Sequence, residues 1–482
     1  MKKAGKVLLG VIALTAGLSL TSYFYVRAQN AEVQRQLRES QEKSAFTPEE
    51  ILEDIAFFRH KLANVHPRAI PSIPLGNVAT ELAELERSID GPLTHLEFYR
   101  KLAPVVGMLD DEHTMVFPPE RNVRNIYAKS VGLFPFDVEF IDDRLYVAEN
   151  LFDETEIRPG AEIVSINGFS ADRLRQLLVT YFSGTGEEQK LFYAQEKFQE
   201  ALFLTLGFSE NFELIMRGPN QGDTRNYTIA GRAVLEPVQE EFGYELIDDV
   251  TILFTYNTFE DKDERFSQFL EEMFTTAERQ GVQNLIIDIR RNQGGASAFG
   301  DELLSYLSHQ SFAQFSRVDT LISDEIKKYF LGHVPSFLRW FPVQYFHPFL
   351  RPLWQGEVGE TASVSFDEVE PGDNALRFSG DVYLLIGPGT MSSASLLAAT
   401  LQKHNLATMV GSPAGGYATL YGNVIDVYLP HSGLKVWMPT GIVYGNSFGP
   451  IVPEHVVSQF VQDIVRRRDT VLEYTVELAR SK

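Results

Sequence analysis

From about residue 235 the chain alternates short apolar runs with helical stretches, and this order constrains the fold more than any other feature of its 482 residues. "DVTILFTYNTF", "QNLIIDIRRNQGG" and "VYLLIGPGT" read as strands, whereas "FSQFLEEMFTTAERQG", "FGDELLSYL" and "LLAATLQKH" carry helical spacing. Strand and helix in alternation call for an α/β layer architecture. The length allows two or three domains and a sizeable core. A composition of 44% hydrophobic and 22% charged residues argues against extensive disorder.

The N-terminal half reads differently. Lys2, Lys3 and Lys6 precede a charge-free run from Val7 to Val26, closed by Arg27. That pattern marks residues 1–28 as an export signal or membrane anchor. Twenty apolar residues suffice to span a bilayer, with the lysines held in the cytoplasm. Cleavage after Ala28 is the alternative, which Arg27 and the Tyr23-Phe24-Tyr25 cluster disfavour. Both readings put the bulk of the protein outside the cytoplasm, in the periplasm. Residues 29–46 form a polar stalk. Residues 47–118 open with a capping box, Thr47-Pro48-Glu49-Glu50, and continue as a helical region. Residues 119–234 turn to short strands, with a helical insertion from about 172 to 207. Their strand, Pro-Gly turn, apolar strand ending Ile166-Asn167-Gly168, and helix resemble the second half of a PDZ domain. Between Leu331 and Trp354 the prolines of an aromatic-rich stretch preclude one continuous helix. It reads as an insertion packed on the core, or as a groove lid or membrane-facing patch.

Several chemistries are excluded at once. A formal charge of −22 opposes nucleic-acid binding, which needs clustered cations. With no cysteine there are no disulfides, no thiolate catalysis and no cysteine zinc sites. No metal or organic cofactor is implied.

Three stretches carry candidate chemistry. "GPGTMSSASLLAATLQKH" (387–404) follows an apolar strand and places serines at a helix start, where unpaired N–H groups favour a developing negative charge. Taken alone, the stretch favours the plainer reading that Thr390, Ser392 or Ser393 simply caps the helix. "LIIDIRRNQGG" sets Asp288, Arg290 and Asn292 before Gly294 and Gly295, a pair that lets backbone approach a ligand and expose N–H groups. "GMLDDEHTMVF" ends the helical region with His113.

Together with "ATMVGSPAGG" and "GPIVPEHVV", these stretches resemble the carboxyl-terminal (tail-specific) processing peptidases and the related tricorn core serine protease. The resemblance runs from about Thr47 to the C-terminal helix. It implies a crotonase-like (ClpP/crotonase) α/β core over residues 235–482, joined to the N-terminal helical region and the PDZ-like β-rich domain. The family nucleophile is the serine of a Thr-x-Ser pattern, here Ser392 rather than Ser393 or Ser395. One branch of the family activates it with a lysine. Aligned through Val410-Gly411, that position holds Tyr417, and "GSPAGGYATLYGN" contains no lysine. The tricorn-like branch uses a histidine, whose position matches His113. A neutral imidazole, with an unperturbed pKa near ~6.5, accepts the serine proton at physiological pH. The branch also uses a glutamate near the end of the core, where "YGNSFGPIVPEH" departs from the pattern and offers Asn446 or Ser447. Asn446 could orient the imidazole as the third member, with Glu454, Asp111 and Glu112 as substitutes that the sequence does not rank.

These residues imply an exported serine endopeptidase acting on protein or peptide substrates. Ser392 would attack, His113 would take its proton, and the N–H groups of Ser393 and of Gly294 or Gly295 would hold the oxyanion. The missing glutamate motivates a second reading, a non-catalytic binding module like the interphotoreceptor retinoid-binding protein. A crotonase-type acyl-CoA enzyme is a third, which the export signal opposes.

Overall fold

The computed structural model describes residues 38–481, apart from 39, 70–76, 129–131, 152–155, 219–221, 234–239 and 335–341. The expected signal or anchor, and part of the stalk, lie outside the described residues. Among the described residues no helix is long and apolar enough to cross a membrane. The chain divides into two compact units. One comprises Met1–Tyr99, Val318–Val364 and Asn423–Gly441; the other comprises Arg100–Arg317, Ser365–Gly422 and Ile442–Lys482.

In the first unit the helix Pro48–Asn64 starts as its sequence requires. The Thr47 hydroxyl accepts from the Glu50 N–H, and Glu50 accepts from the Thr47 N–H, which satisfies two otherwise orphaned donors. Ile51, Ile55, Phe58 and Leu62 on this helix are buried, the spacing of a one-sided apolar stripe. Its fully buried Asp54 accepts the backbone N–H groups of His431 and Ser432, both at 2.8 Å, and so pins that turn. From the aromatic stretch, Tyr345 and Phe346 are exposed, and a short helix covers Leu350–Gln355.

Among the described residues, two sheets lie wholly within the second unit. Strands β1 (Phe136–Ile141), β2 (Arg144–Asn150), β3 (Glu162–Ile166), β4 (Asn211–Arg217) and β5 (Thr224–Ala230) pair antiparallel in that order. Between β3 and β4 the expected helical insertion forms α1 (Ala171–Leu178), α2 (Glu187–Glu196) and α3 (Phe198–Ala201), continued by a wider turn to Leu206. Phe134, Phe198 and Phe212 meet edge to face in the core that the insertion shares with the sheet.

The other sheet is the α/β layer foreseen from the alternation. Its strands are β6 (Phe242–Asp248), β7 (Thr251–Tyr256), β8 (Asn284–Asp288), β9 (Asp381–Ile386), β10 (Thr408–Gly411) and β11 (His455–Val456), and they lie in chain order. All neighbours run parallel except β6 and β7. Helices α4 (Phe266–Gln280), α5 (Ala298–Leu307) and α6 (Ser393–Lys403) cover one face, packing on Ile252, Phe254, Leu285, Ile287, Leu384 and Ile386. The alternate residues Leu253, Ile286, Tyr383, Leu385 and Val410 meet the C-terminal helix α7 (Thr470–Arg480). Burial on both faces explains why these strands are continuously apolar. Each such large side chain contributes about 1.5–3 kcal/mol. The register sets Asp288 beside Leu385, so the Gly-Gly turn after β8 and the serine turn after β9 emerge from the same edge. Ligand sites in such sheets lie at the carboxyl ends of the strands.

Candidate active site

The turn after β9 is built around Thr390. Its hydroxyl donates to the Ile289 carbonyl at 2.8 Å and accepts the Gly387 N–H at 3.1 Å, while its own N–H closes the Gly-Pro-Gly-Thr turn onto Gly387. From the turn after β8, the fully buried Asn292 braces the same loop. Its carbonyl accepts the Met391 N–H, its amide donates to the Tyr256 carbonyl, and its Oδ1 accepts the Gly294 N–H at 2.8 Å. Ser392 then takes φ 53° and ψ −127° just before α6 begins. A non-glycine residue there carries strain on the order of 1–3 kcal/mol, which the braced loops on both sides hold in place. Helix capping does not explain these side chains. Ser392 makes no cap hydrogen bond, Ser393 donates to the Gly295 carbonyl, and Ser395 donates to the Thr390 carbonyl.

Ser392 Oγ lies 2.9 Å from His113 Nε2. His113 comes from a tight loop in which Asp111 accepts the His113 N–H at 3.0 Å and the Thr114 hydroxyl. Its Nδ1 makes no hydrogen bond among the described residues, and Glu112 Oε1 stands 3.6 Å away. That carboxylate is almost completely enclosed. Oε1 accepts the Ser392 N–H at 3.2 Å, and Oε2 accepts the Gln189 amide at 3.0 Å. Burial pushes the Glu112 carboxyl up from its ordinary range; the neighbouring imidazole and the Gln189 hydrogen bond pull the other way.

Helix α2 closes the site from the insertion. Besides Gln189, it supplies Lys190, which donates to the Gly107 carbonyl and pairs with Asp110 at 2.7 Å. It also supplies Tyr193, whose hydroxyl donates to the Met391 sulfur. Just before α2, the Ser183 hydroxyl donates to the Thr114 carbonyl and the Thr185 hydroxyl to the Gly415 carbonyl.

Ser392, His113, Gly294, Gly295 and Ser393 therefore come together. The expected third members do not join them. The Asn446 amide is committed to the Ala313 carbonyl and the Thr400 hydroxyl, and its oxygen accepts Lys403. Glu454 accepts the Met409 N–H at the start of β10. Glu112, weighed only as a substitute, is the carboxylate beside the imidazole. Gly294 is also narrowed, because its N–H is already bound to Asn292, whereas those of Gly295 and Ser393 have no acceptor among the described residues. Its role is close approach: at φ +89°, a Cβ on Gly294 would sit 2.7 Å from Ser392 Cβ and 2.8 Å from the Ser393 nitrogen. Tyr417 pairs through its backbone with Pro450. No local sequence pattern marks Gln189 or Tyr193 as part of the site.

Residues 252–441, which span β7 to the strand Lys435–Gly445, match the model of peptidase family S41. This stretch of the chain carries the S41 peptidase signature. The match makes the protein a serine peptidase. The mature form of CPAF is similar in fold to this chain, with a TM-score of 0.66 at 17% identity, over 90% of this chain and 96% of that one. CPAF in complex with lactacystin gives a TM-score of 0.66 at 17% identity, over 90% and 98%. The photosystem II D1 C-terminal processing protease matches at a TM-score of 0.42 and 14% identity, over 86% and 96%. At 17% identity the likeness to CPAF speaks to the fold alone. No curated protein sequence matches the chain. The S41 family model ends before Asn446 and Glu454 and begins after His113, Glu112 and Gln189, so the relay side of the site falls wholly outside it.

Proposed function

We infer that the chain is an exported serine endopeptidase that cleaves protein or peptide substrates with a Ser392–His113–Glu112 relay. The observation that carries this reading is the 2.9 Å contact between Ser392 Oγ and His113 Nε2, made by a serine on a strained turn at a helix start. Neutral His113 accepts the Ser392 proton at Nε2 as Oγ bonds to the scissile carbonyl carbon. The oxyanion that forms is held by the N–H groups of Ser393 and Gly295, each worth roughly 3 kcal/mol where donors are pre-aimed. The imidazolium, with Nδ1–H towards Glu112, is stabilised by the carboxylate charge. It then gives its proton to the departing amine. Water repeats the sequence on the acyl-enzyme and frees Ser392. Export rests on the lysine-flanked apolar run Val7–Val26.

The test is labelling with a fluorophosphonate probe together with hydrolysis of fluorescein-labelled casein. Ser392→Ala and His113→Ala should lose both, by three orders of magnitude or more, while Ser393→Ala keeps labelling. Lactacystin, which occupies one of the CPAF structures, should compete with the probe. Labelling of the Ser392→Ala protein at Ser393 overturns the assignment of the nucleophile. Wild-type turnover by His113→Ala overturns the choice of base.

A further inference from the structure

Glu112 is the residue directly before the histidine it serves, and its side chain is long enough that the loop alone does not fix its direction. A glutamate has three rotatable bonds, and its oxygens settle where donors hold them. Two donors do so here. One is the Ser392 N–H on Oε1, which belongs to the nucleophile turn. The other is Gln189 Nε2 on Oε2, which belongs to α2 of the insertion. The Gln189 side chain is itself fixed, because its Oε1 accepts the Thr185 N–H at 2.8 Å and the residue is fully buried. A backbone N–H can only donate, so this contact determines which end of the amide faces Glu112: the nitrogen.

We propose that Gln189 is a positioning residue of the catalytic relay, its amide holding Glu112 so that Oε1 stays beside His113 Nδ1. This rests on the relay reading above. Gln189 touches neither substrate nor nucleophile and acts only through Glu112. The remaining groups around that carboxylate are His113 and Asp111 from its own loop, the Ser392 N–H, and the Tyr193 phenol one turn along α2. Lys190, the nearest cation on α2, is engaged with Asp110 and the Gly107 carbonyl. Gln189 is therefore the side-chain donor to the carboxylate from the insertion. A hydrogen bond to the charged form favours ionisation, so the same contact keeps Glu112 available as an anion.

The test exchanges one atom. Gln189→Glu keeps an oxygen for the Thr185 N–H but turns the group facing Glu112 from a donor into a second carboxylate. Two such groups share a proton and hold it to higher pH. The acid limb of fluorophosphonate labelling should move up by about one pH unit, with a tenfold loss of rate on that limb. Gln189→Leu, which removes the donor without adding charge, should shift it the same way by less. Neither shift should appear on a Glu112→Gln background, because the effect passes through Glu112. An unchanged acid limb in both Gln189 variants, in a protein that Glu112→Gln slows, overturns the role of Gln189 and leaves the relay intact. Wild-type labelling by Glu112→Gln instead overturns the relay itself. Circular dichroism and melting of each variant show whether it is folded; if Gln189→Glu unfolds, the Leu variant carries the test.

Discussion

The nucleophile turn and the histidine loop meet at one hydrogen bond but are built by different means. On the nucleophile side, the geometry comes from backbone: a Gly-Pro-Gly-Thr turn, a pair of glycines, and Asn292 closing three bonds to main-chain groups. On the histidine side it comes from side chains reaching over long stretches of chain, with Gln189 lying 77 residues beyond Glu112 and Ser183 lying 69 beyond Thr114. A backbone-built site tolerates almost no added atoms. A site built from side chains should degrade in steps as each contact is removed.

The largest effect should therefore fall on the nucleophile side. Gly294→Ala adds a Cβ against Ser392 Cβ and the Ser393 nitrogen, neither of which can rotate away, at a φ that disfavours any side chain. Displacing the nucleophile by even part of an ångström should lower kcat/KM by about 100-fold or more. Gly168→Ala is the control, since it has φ +81° but open space around its would-be Cβ. Left-handed strain should cost roughly 1–2 kcal/mol of stability there, read from denaturant melts, with turnover unchanged. Equal turnover in the two variants would remove the claim that close approach, rather than strain, governs the turn.

Glu112→Gln should have an intermediate effect, a loss of about 10- to 100-fold, short of the loss in Ser392→Ala. Its pH signature is specific. Removing the carboxylate charge disfavours imidazolium, so the acid limb moves to lower pH as the plateau falls, opposite to the shift expected for Gln189→Glu. Stability should change in a linked way. Burial raises the Glu112 pKa in the folded protein, so the carboxyl favours folding most below the ordinary carboxylate range, and that advantage is lost as pH rises through the raised value. Relative to wild type, the melting temperature of Glu112→Gln should accordingly climb with pH. A difference that is flat with pH contradicts the enclosed carboxylate.

The same contrast explains what the sequence disclosed. Val382–Ile386, the Thr390-Met391-Ser392 turn, the Gly294-Gly295 pair and the Thr47 capping box are local, and each residue type there has a conformational reason visible within a few positions. The α/β layer followed from the alternation because strands buried on both faces have little choice but continuous apolar runs. His113 was legible only through its family position. The family's glutamate position points to Asn446, with Glu454 a substitute, and both are engaged elsewhere, whereas Glu112 stands directly beside the histidine. Nothing near Gln189 distinguishes "EEQKLFYAQE" from an ordinary surface helix, because its role is fixed by folding the insertion against a loop from another part of the chain.

The smallest effect should come from Tyr193→Phe, which separates packing from hydrogen bonding within α2. The Tyr193 hydroxyl donates to the Met391 sulfur, and burial, reinforced by the nearby Glu112 charge, drives its pKa up, so the phenol stays protonated and is no base. A thioether is a weak acceptor, and losing the donor leaves no strongly polar group unsatisfied. Phenylalanine keeps the ring against the nucleophile turn. Turnover should stay within about threefold of wild type, and stability within about 1 kcal/mol, the usual net worth of one hydrogen bond. Tyr193→Ala removes the ring as well, and should cost about 3–5 kcal/mol by analogy with other large-to-small core changes. If α2 acts by packing at Tyr193 and by hydrogen bonding at Gln189, Tyr193→Phe leaves the acid limb where it is, while Gln189→Glu moves it. A shift of that limb in Tyr193→Phe would show that the phenol also helps to set the state of Glu112, and the division of labour along α2 would have to be redrawn.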